Sequence, residues 1–133
     1  MDETTNPKES IGDWGAVFPI VSEADIRSFA THINDTNPVH HDNEAAQKAG
    51  LHGIIAPGVM TIGFVSSAIA TKIPGSQVCR LEMKFSAPLY AGSTPSVFCA
   101  ISGHSGQLAK VAVTVKNGFE VIATGSCVIL LPK

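Results

Sequence analysis

Residues 57–73 read PGVMTIGFVSSAIATKI, a run with no charge before Lys72 and with apolar side chains on nearly every side of a helical wheel. That pattern predicts a helix enclosed by other elements rather than one lying half in water. Pro57 suits a first helical turn, and Pro74-Gly75 stops the run. Ser66, Ser67, Thr71 and Lys72 leave it short of the roughly 20 predominantly apolar residues that a membrane span takes. From Gln77 onward the period changes to two. Residues 77–85, 96–102, 107–116 and 119–131 alternate as strands do, and they are expected to follow one another as a four-strand meander. Between the last two, Asn117-Gly118 predicts a hairpin with a type I′ turn. A central helix against a curved antiparallel sheet is an α+β layout.

Upstream, residues 14–21, WGAVFPIV, predict a short strand with Pro19 at an edge or bulge. Ser22 is a good helix N-cap with Asp25 as its capping-box partner, and Ala24, Ile26, Phe29, Ala30 and Ile33 form one apolar stripe ending at Asn34. Asp42 or Asn43 then caps a short second helix, EAAQKA, which Gly50 closes in the left-handed conformation. The first ten residues, MDETTNPKES, are expected to be a disordered arm preceding a single domain over 11–133. They lack the basic and apolar regions of a secretory signal.

The 133 residues suffice for one core and not comfortably for two. Apolar residues make up 44% and charged residues 15%, which excludes the disordered class. With a mean hydropathy of +0.22, so uncharged a surface points to a covered subunit interface. A net charge of -2 offers no field for nucleic acid and no basic patch for a membrane. Three cysteines, Cys79, Cys99 and Cys127, suit reduced core thiols in a cytoplasmic protein.

The polar chemistry gathers in NDTNPVHHD, residues 34–42. Asp35 and His40 can form an acid/base pair if the loop turns back on itself, because Pro38 fixes one φ and Asn37 favours an Asx-type turn. The plainer alternative is a turn that only closes the preceding helix. Next, Ala56-Pro57-Gly58 opens the uncharged helix, so its free N–H groups and the positive end of its dipole are candidates for holding an oxyanion. Again an ordinary core helix is the alternative. Together the two features suit chemistry at a thioester, where a developing enolate needs hydrogen bonds while a base handles a proton or a water. His32, His40, His41, Asp42 and His52 are close in sequence but lack metal-ligand spacing, so no metal site is expected. Neither a nucleophile elbow nor a phosphate loop is present.

The stretch FATHINDTNPVHHDNEAAQKAGLHGIIAPGVMTIGFVSS, residues 29–67, resembles the hydratase motif of the MaoC-like, (R)-specific enoyl-CoA hydratases: Asp, Asn-Pro and His, then a short alanine-bearing helix and a glycine at the start of the central helix. KFSAPLYAGST, residues 84–94, is similar to the family's strand with Phe, Pro and a Gly turn. The resemblance implies a hot-dog fold, a curved antiparallel sheet wrapped around a helix at about Pro57 to Lys72. It further implies a homodimer, or a higher oligomer of dimers, with an acyl-CoA tunnel near the interface. By position, Asp35 and His40 match the family's catalytic residues, with Asp35 as base and His40 relaying a proton toward Cα. Gly58 matches the backbone N–H that faces the thioester oxygen, and Asn37 shapes the loop. No cofactor is implied, because coenzyme A belongs to the substrate.

Two departures bear on substrate pose. Pro57 stands where many members have His, and Gly63 stands where many have a small hydroxyl residue. The implied reaction is reversible hydration of a trans-2-enoyl-CoA. The alternatives are dehydration of a branched or polar 3-hydroxyacyl thioester, and a non-catalytic acyl-thioester-binding subunit. Hot-dog thioesterases commonly carry a carboxylate on the central helix, and residues 57–73 contain none. His41 and His52 have no counterpart in the motif and are expected to face solvent or the rim.

Overall fold

The computed structural model describes residues 11–133; the expected N-terminal arm lies outside the described residues. The elements run β1 (Trp14–Val17), α1 (Glu23–His32), a 3-10 turn (Pro38–His40), α2 (Asn43–Lys48), α3 (Gly58–Lys72), β2 (Gln77–Phe85), β3 (Pro95–Ser105), β4 (Leu108–Asn117) and β5 (Glu120–Leu130). All five strands form one antiparallel sheet in the order β1-β3-β4-β5-β2, curved around α3. This is the α+β, hot-dog arrangement expected from the sequence.

The expected four-strand meander is correct only for β3, β4 and β5. β2 pairs with β5, from Gln77 opposite Leu130 to Phe85 opposite Ala123, instead of with β3. The physical reason is that β1 already occupies the outer edge of β3, with Trp14 opposite Cys99 and Val17 opposite Ser96. The chain returning from α3 takes the edge of the sheet that is left. Gly125 permits this pairing. A Cβ there would lie 1.9 Å from the carbonyl oxygen of Glu82, so the two strands approach only because the side chain is absent.

The core lies between sheet and helix. Val65, Ala68 and Ile69 of α3 pack among Val97, Val111, Val113, Val115, Ile129 and Cys127, all essentially inaccessible. Strict alternation along β4 places Val111, Val113 and Val115 on the buried side. The Trp14 indole donates to the Ala68 carbonyl at 3.0 Å, pinning β1 across the helix. In the single chain α3 is not enclosed all round: Val59, Gly63, Ser66 and Ala70 are exposed along one side. Their small or apolar character disguised that side, since solvent exposure there is set by what packs on the helix and not by its own pattern.

Local signals were read well at the helix ends. Ser22 and Asp25 form the reciprocal capping box. Asn34 takes a positive φ of 59°, and the N–H groups of Asn34 and Asp35 reach back to the Thr31 and Ala30 carbonyls in a Schellman motif. Gly50 closes α2 in the same way, with Gly50 N–H to Gln47 and Leu51 N–H to Ala46. The β4–β5 hairpin is present, but its turn is not type I′. Asn117 pairs with Glu120, so Gly118 and Phe119 are the central residues, and only Gly118 has positive φ, the pattern of type II′. The predicted strand over 14–21 ends at Val17, before Pro19. Cys99 and Cys127 are buried as expected, whereas Cys79 is exposed on the edge strand β2.

Candidate active site

Asp35 leaves the Schellman end of α1 with its N–H held by the Ala30 carbonyl at 2.8 Å. Its Oδ1 accepts from the Asn37 N–H at 3.1 Å, and the Asn37 Oδ1 accepts from the Val39 N–H at 3.3 Å. Two successive Asx turns, with Pro38 opening the 3-10 turn, therefore bend the chain back until His40 faces Asp35. The His40 Nε2 lies 3.5 Å from Asp35 Oδ2, with the imidazole buried and the carboxylate about one-third exposed.

The orientation of the imidazole follows from one hydrogen bond. His40 Nδ1 lies 2.7 Å from the Ile55 carbonyl oxygen, which can only accept, so the proton sits on Nδ1. Nε2 is left as the nitrogen that can exchange a proton, and it points toward the carboxylate. The Ile55 N–H returns a bond to the Val39 carbonyl at 3.1 Å, which locks the 3-10 turn against the segment leading into α3.

His40 and Gly58 line one cavity of about 390 Å³, walled by Ile55, Ala56, Phe85, Leu89 and Ile122. α3 begins at Gly58 rather than at Pro57. Pro57 is the N-cap and provides no side-chain hydrogen bond, so the first N–H groups of the helix are uncapped. A Cβ at Gly58 would meet the Phe85 ring at 3.2 Å, a tight contact that the half-exposed ring would have to yield to. His40 and Gly58 share this cavity, Asp35 reaches it through His40, and Asp35, Asn37 and Pro57 are not among its walls. Gly63, expected to take the place of a hydroxyl residue near the site, is exposed instead, and Thr61, one turn after Gly58, lines the cavity while almost fully buried.

Sequence reasoning missed the walls contributed by 85–89 and by Ile122. Ile122 is the extra residue of a bulge in β5: Val115 pairs with Ala123 and Lys116 with Val121, and the Ile122 carbonyl accepts from the N–H groups of Ser86 and Ala87. No local pattern announces that placement. His41, expected to face solvent or the rim, is partly buried and directs its Nε2 to the Asp35 carbonyl at 2.7 Å. His52 is exposed as expected and stacks on Tyr90, with ring centroids 5.2 Å apart.

The sequence profile described as MaoC like domain matches residues 13–122. The chain belongs to the MaoC-like domain family. It is 27% identical over 125 residues to an (R)-specific enoyl-CoA hydratase from Rhodospirillum rubrum, covering 91% of this chain and 87% of the relative. It is likewise 27% identical to a 3-hydroxybutyryl-CoA dehydratase from Methylorubrum extorquens, covering 85% and 74% respectively. Among solved structures, the unliganded R-hydratase PhaJ1 from Pseudomonas aeruginosa superposes with a TM-score of 0.85 at 25% identity, over 93% of this chain and 83% of that one. Among the described residues of this MaoC-like chain, no helix is long and apolar enough to cross a membrane.

Proposed function

We propose that this MaoC-like protein is a hydro-lyase adding water reversibly across the trans-2 double bond of an enoyl-CoA to give the (R)-3-hydroxyacyl-CoA, with Asp35 and His40 as its catalytic residues. The observation that carries this reading is the 3.5 Å gap between Asp35 Oδ2 and His40 Nε2 beside the cavity at the start of α3. That gap is too long for a good direct hydrogen bond and suits two groups acting on one water. In the hydration direction Asp35 Oδ2 takes a proton from water as its oxygen bonds to Cβ. Asp35 passes that proton to the Nε2 lone pair of His40, and Nε2 delivers it to Cα on the same face, so both groups return to their starting state and atoms and charge balance. Dehydration is the same path reversed.

The Gly58 N–H, at an uncapped helix start, is the donor for the thioester oxygen as enolate charge develops. Asn37 keeps the loop closed, and Pro57 sets the helix start without adding a side-chain donor. The walls formed by Ile55, Ala56, Leu89 and Ile122 suit an acyl chain. Coenzyme A arrives with the substrate, and no further cofactor takes part in the proposed steps. Val59 and Phe85 are about half exposed at the start of α3 and at the cavity, which supports a homodimer in which a second copy covers this rim. A single domain over 11–133 carries the whole site.

The experiment is a hydration assay of the purified protein over short, medium and branched trans-2-enoyl-CoAs, following loss of the conjugated-thioester absorbance, with chiral analysis of the product. Turnover to the (R)-alcohol on at least one substrate is expected. Binding without turnover on every substrate would reject the assignment in favour of a non-catalytic acyl-thioester subunit. Light scattering at micromolar concentration should return the mass of a dimer.

A further inference from the structure

We propose that His41 and Arg27 are positioning residues that brace the Asp35 carboxylate, a step that rests on Asp35 being the base of the proposed reaction. Asp35 is held at both of its peptide groups. Its N–H donates to Ala30 at the end of α1. Its carbonyl oxygen lies 2.7 Å from His41 Nε2, and because a carbonyl only accepts, that nitrogen carries the imidazole proton. His41 is held in turn: its carbonyl accepts from Arg27 Nε at 2.9 Å, and its N–H donates to Pro38. Arg27 projects from α1, where its guanidinium also faces Glu23 at 3.9 Å.

The consequence lies in how the two histidines divide their work. His40 and His41 are adjacent, with opposite proton placements: Nδ1–H on His40, directed to Ile55, and Nε2–H on His41, directed to Asp35. One residue exchanges protons beside the cavity. The next ties that segment to the backbone of the base. With Asp35 following the left-handed Asn34, the 35–36 peptide has the His41 ring as its partner, and rotation of that peptide would turn the segment carrying His40 relative to the carboxylate. Holding a reacting group within a fraction of an ångström is where such a contact acts, since a displacement of about 1 Å can cost on the order of a hundredfold in rate.

The test compares His41→Leu, which removes the donor, with His41→Gln, whose side-chain amide can place an N–H near the position of Nε2. Expected for the leucine variant is a fall in kcat of about ten- to a hundredfold with KM within about threefold, while the glutamine variant recovers most of the loss. A structural role alone would not produce rescue confined to the hydrogen-bond donor. Independently of activity, ring ¹⁵N–¹H correlation spectra of the wild type above pH 8 should show the His41 proton on Nε2 and the His40 proton on Nδ1. A leucine variant with wild-type kcat, a glutamine variant as slow as the leucine variant, or a His41 proton on Nδ1 would each overturn the brace. If the wild type hydrates no enoyl-CoA, the reaction assigned to Asp35 and His40 fails, and the ring-proton measurement still decides the brace.

Discussion

Asp35→Asn separates the chemistry of the carboxylate from its place in the loop. Oδ1 accepts the Asn37 N–H at 3.1 Å, and an asparagine oxygen can accept the same bond, so the turn that presents His40 is retained. The other oxygen, 3.5 Å from His40 Nε2, is replaced by an amide that donates and cannot take a proton. Because His40 Nδ1–H is committed to Ile55, Nε2 offers a lone pair to that amide, and the couple is occupied without a base. Loss of a general base costs about a hundred- to ten-thousandfold, or roughly 2.7–5.4 kcal/mol of transition-state stabilisation at 1.36 kcal/mol per tenfold. Asp35→Ala should lose similar activity and in addition strand the Asn37 N–H, costing about 0.5–1.5 kcal/mol of fold stability. The assay is kcat/KM for hydration of a short enoyl-CoA, paired with denaturant midpoints for both variants. An asparagine variant within about tenfold of wild type, or one destabilised as much as the alanine variant, refutes the reasoning.

Gly125→Ala places a Cβ against the Glu82 carbonyl oxygen at 1.9 Å, with the Met83 sulfur at 2.7 Å. It should destabilise by about 1–3 kcal/mol or more, read from urea midpoints, and should speed hydrogen exchange in β2 before β4. Ser22→Ala removes the acceptor for the Asp25 N–H at 3.0 Å and should cost about 1 kcal/mol without changing kcat. Burial pushes the Cys99 and Cys127 thiols up to about 11 from their ordinary 9.0. Both stay essentially protonated in either state below about pH 7.5, so they leave stability unchanged there. Between pH 9 and 11 the unfolded chain sheds protons that the folded chain keeps, so denaturant midpoints should fall over that window, and less steeply in a Cys99→Ala, Cys127→Ala double variant.

Much of the fold was legible because its signals are local. A serine and an aspartate three residues apart close their own hydrogen bonds, and Asn34 and Gly50 adopt the left-handed cap whatever surrounds them. Alternation along β4 separates buried valines from exposed residues without knowledge of the neighbouring strands. Asp35, Asn37, Pro38 and His40 fall in the same class. Their turn is built from hydrogen bonds spanning two or three residues, so the approach of Asp35 and His40 was legible in the spacing as a possibility, while a plain helix-closing turn fitted the same spacing.

What tertiary structure decided depends on partners far along the chain. The position of β2 followed from β1 having taken the edge of β3, a competition between segments some 60 residues apart that no window of sequence records. The exposed side of α3 and the exposed Cys79 depend on which surfaces find a cover, not on hydropathy. The cavity walls came from a bulge at Ile122 and the 85–89 segment. The proton placement on the two histidines came from carbonyls at Ile55 and Asp35, supplied by other turns of the chain. Sequence alone determined which groups could do chemistry and the turn that carries them. Packing determined the direction in which each imidazole presents its lone pair, because a ring nitrogen takes its role from whichever backbone oxygen the folded chain brings to the other one.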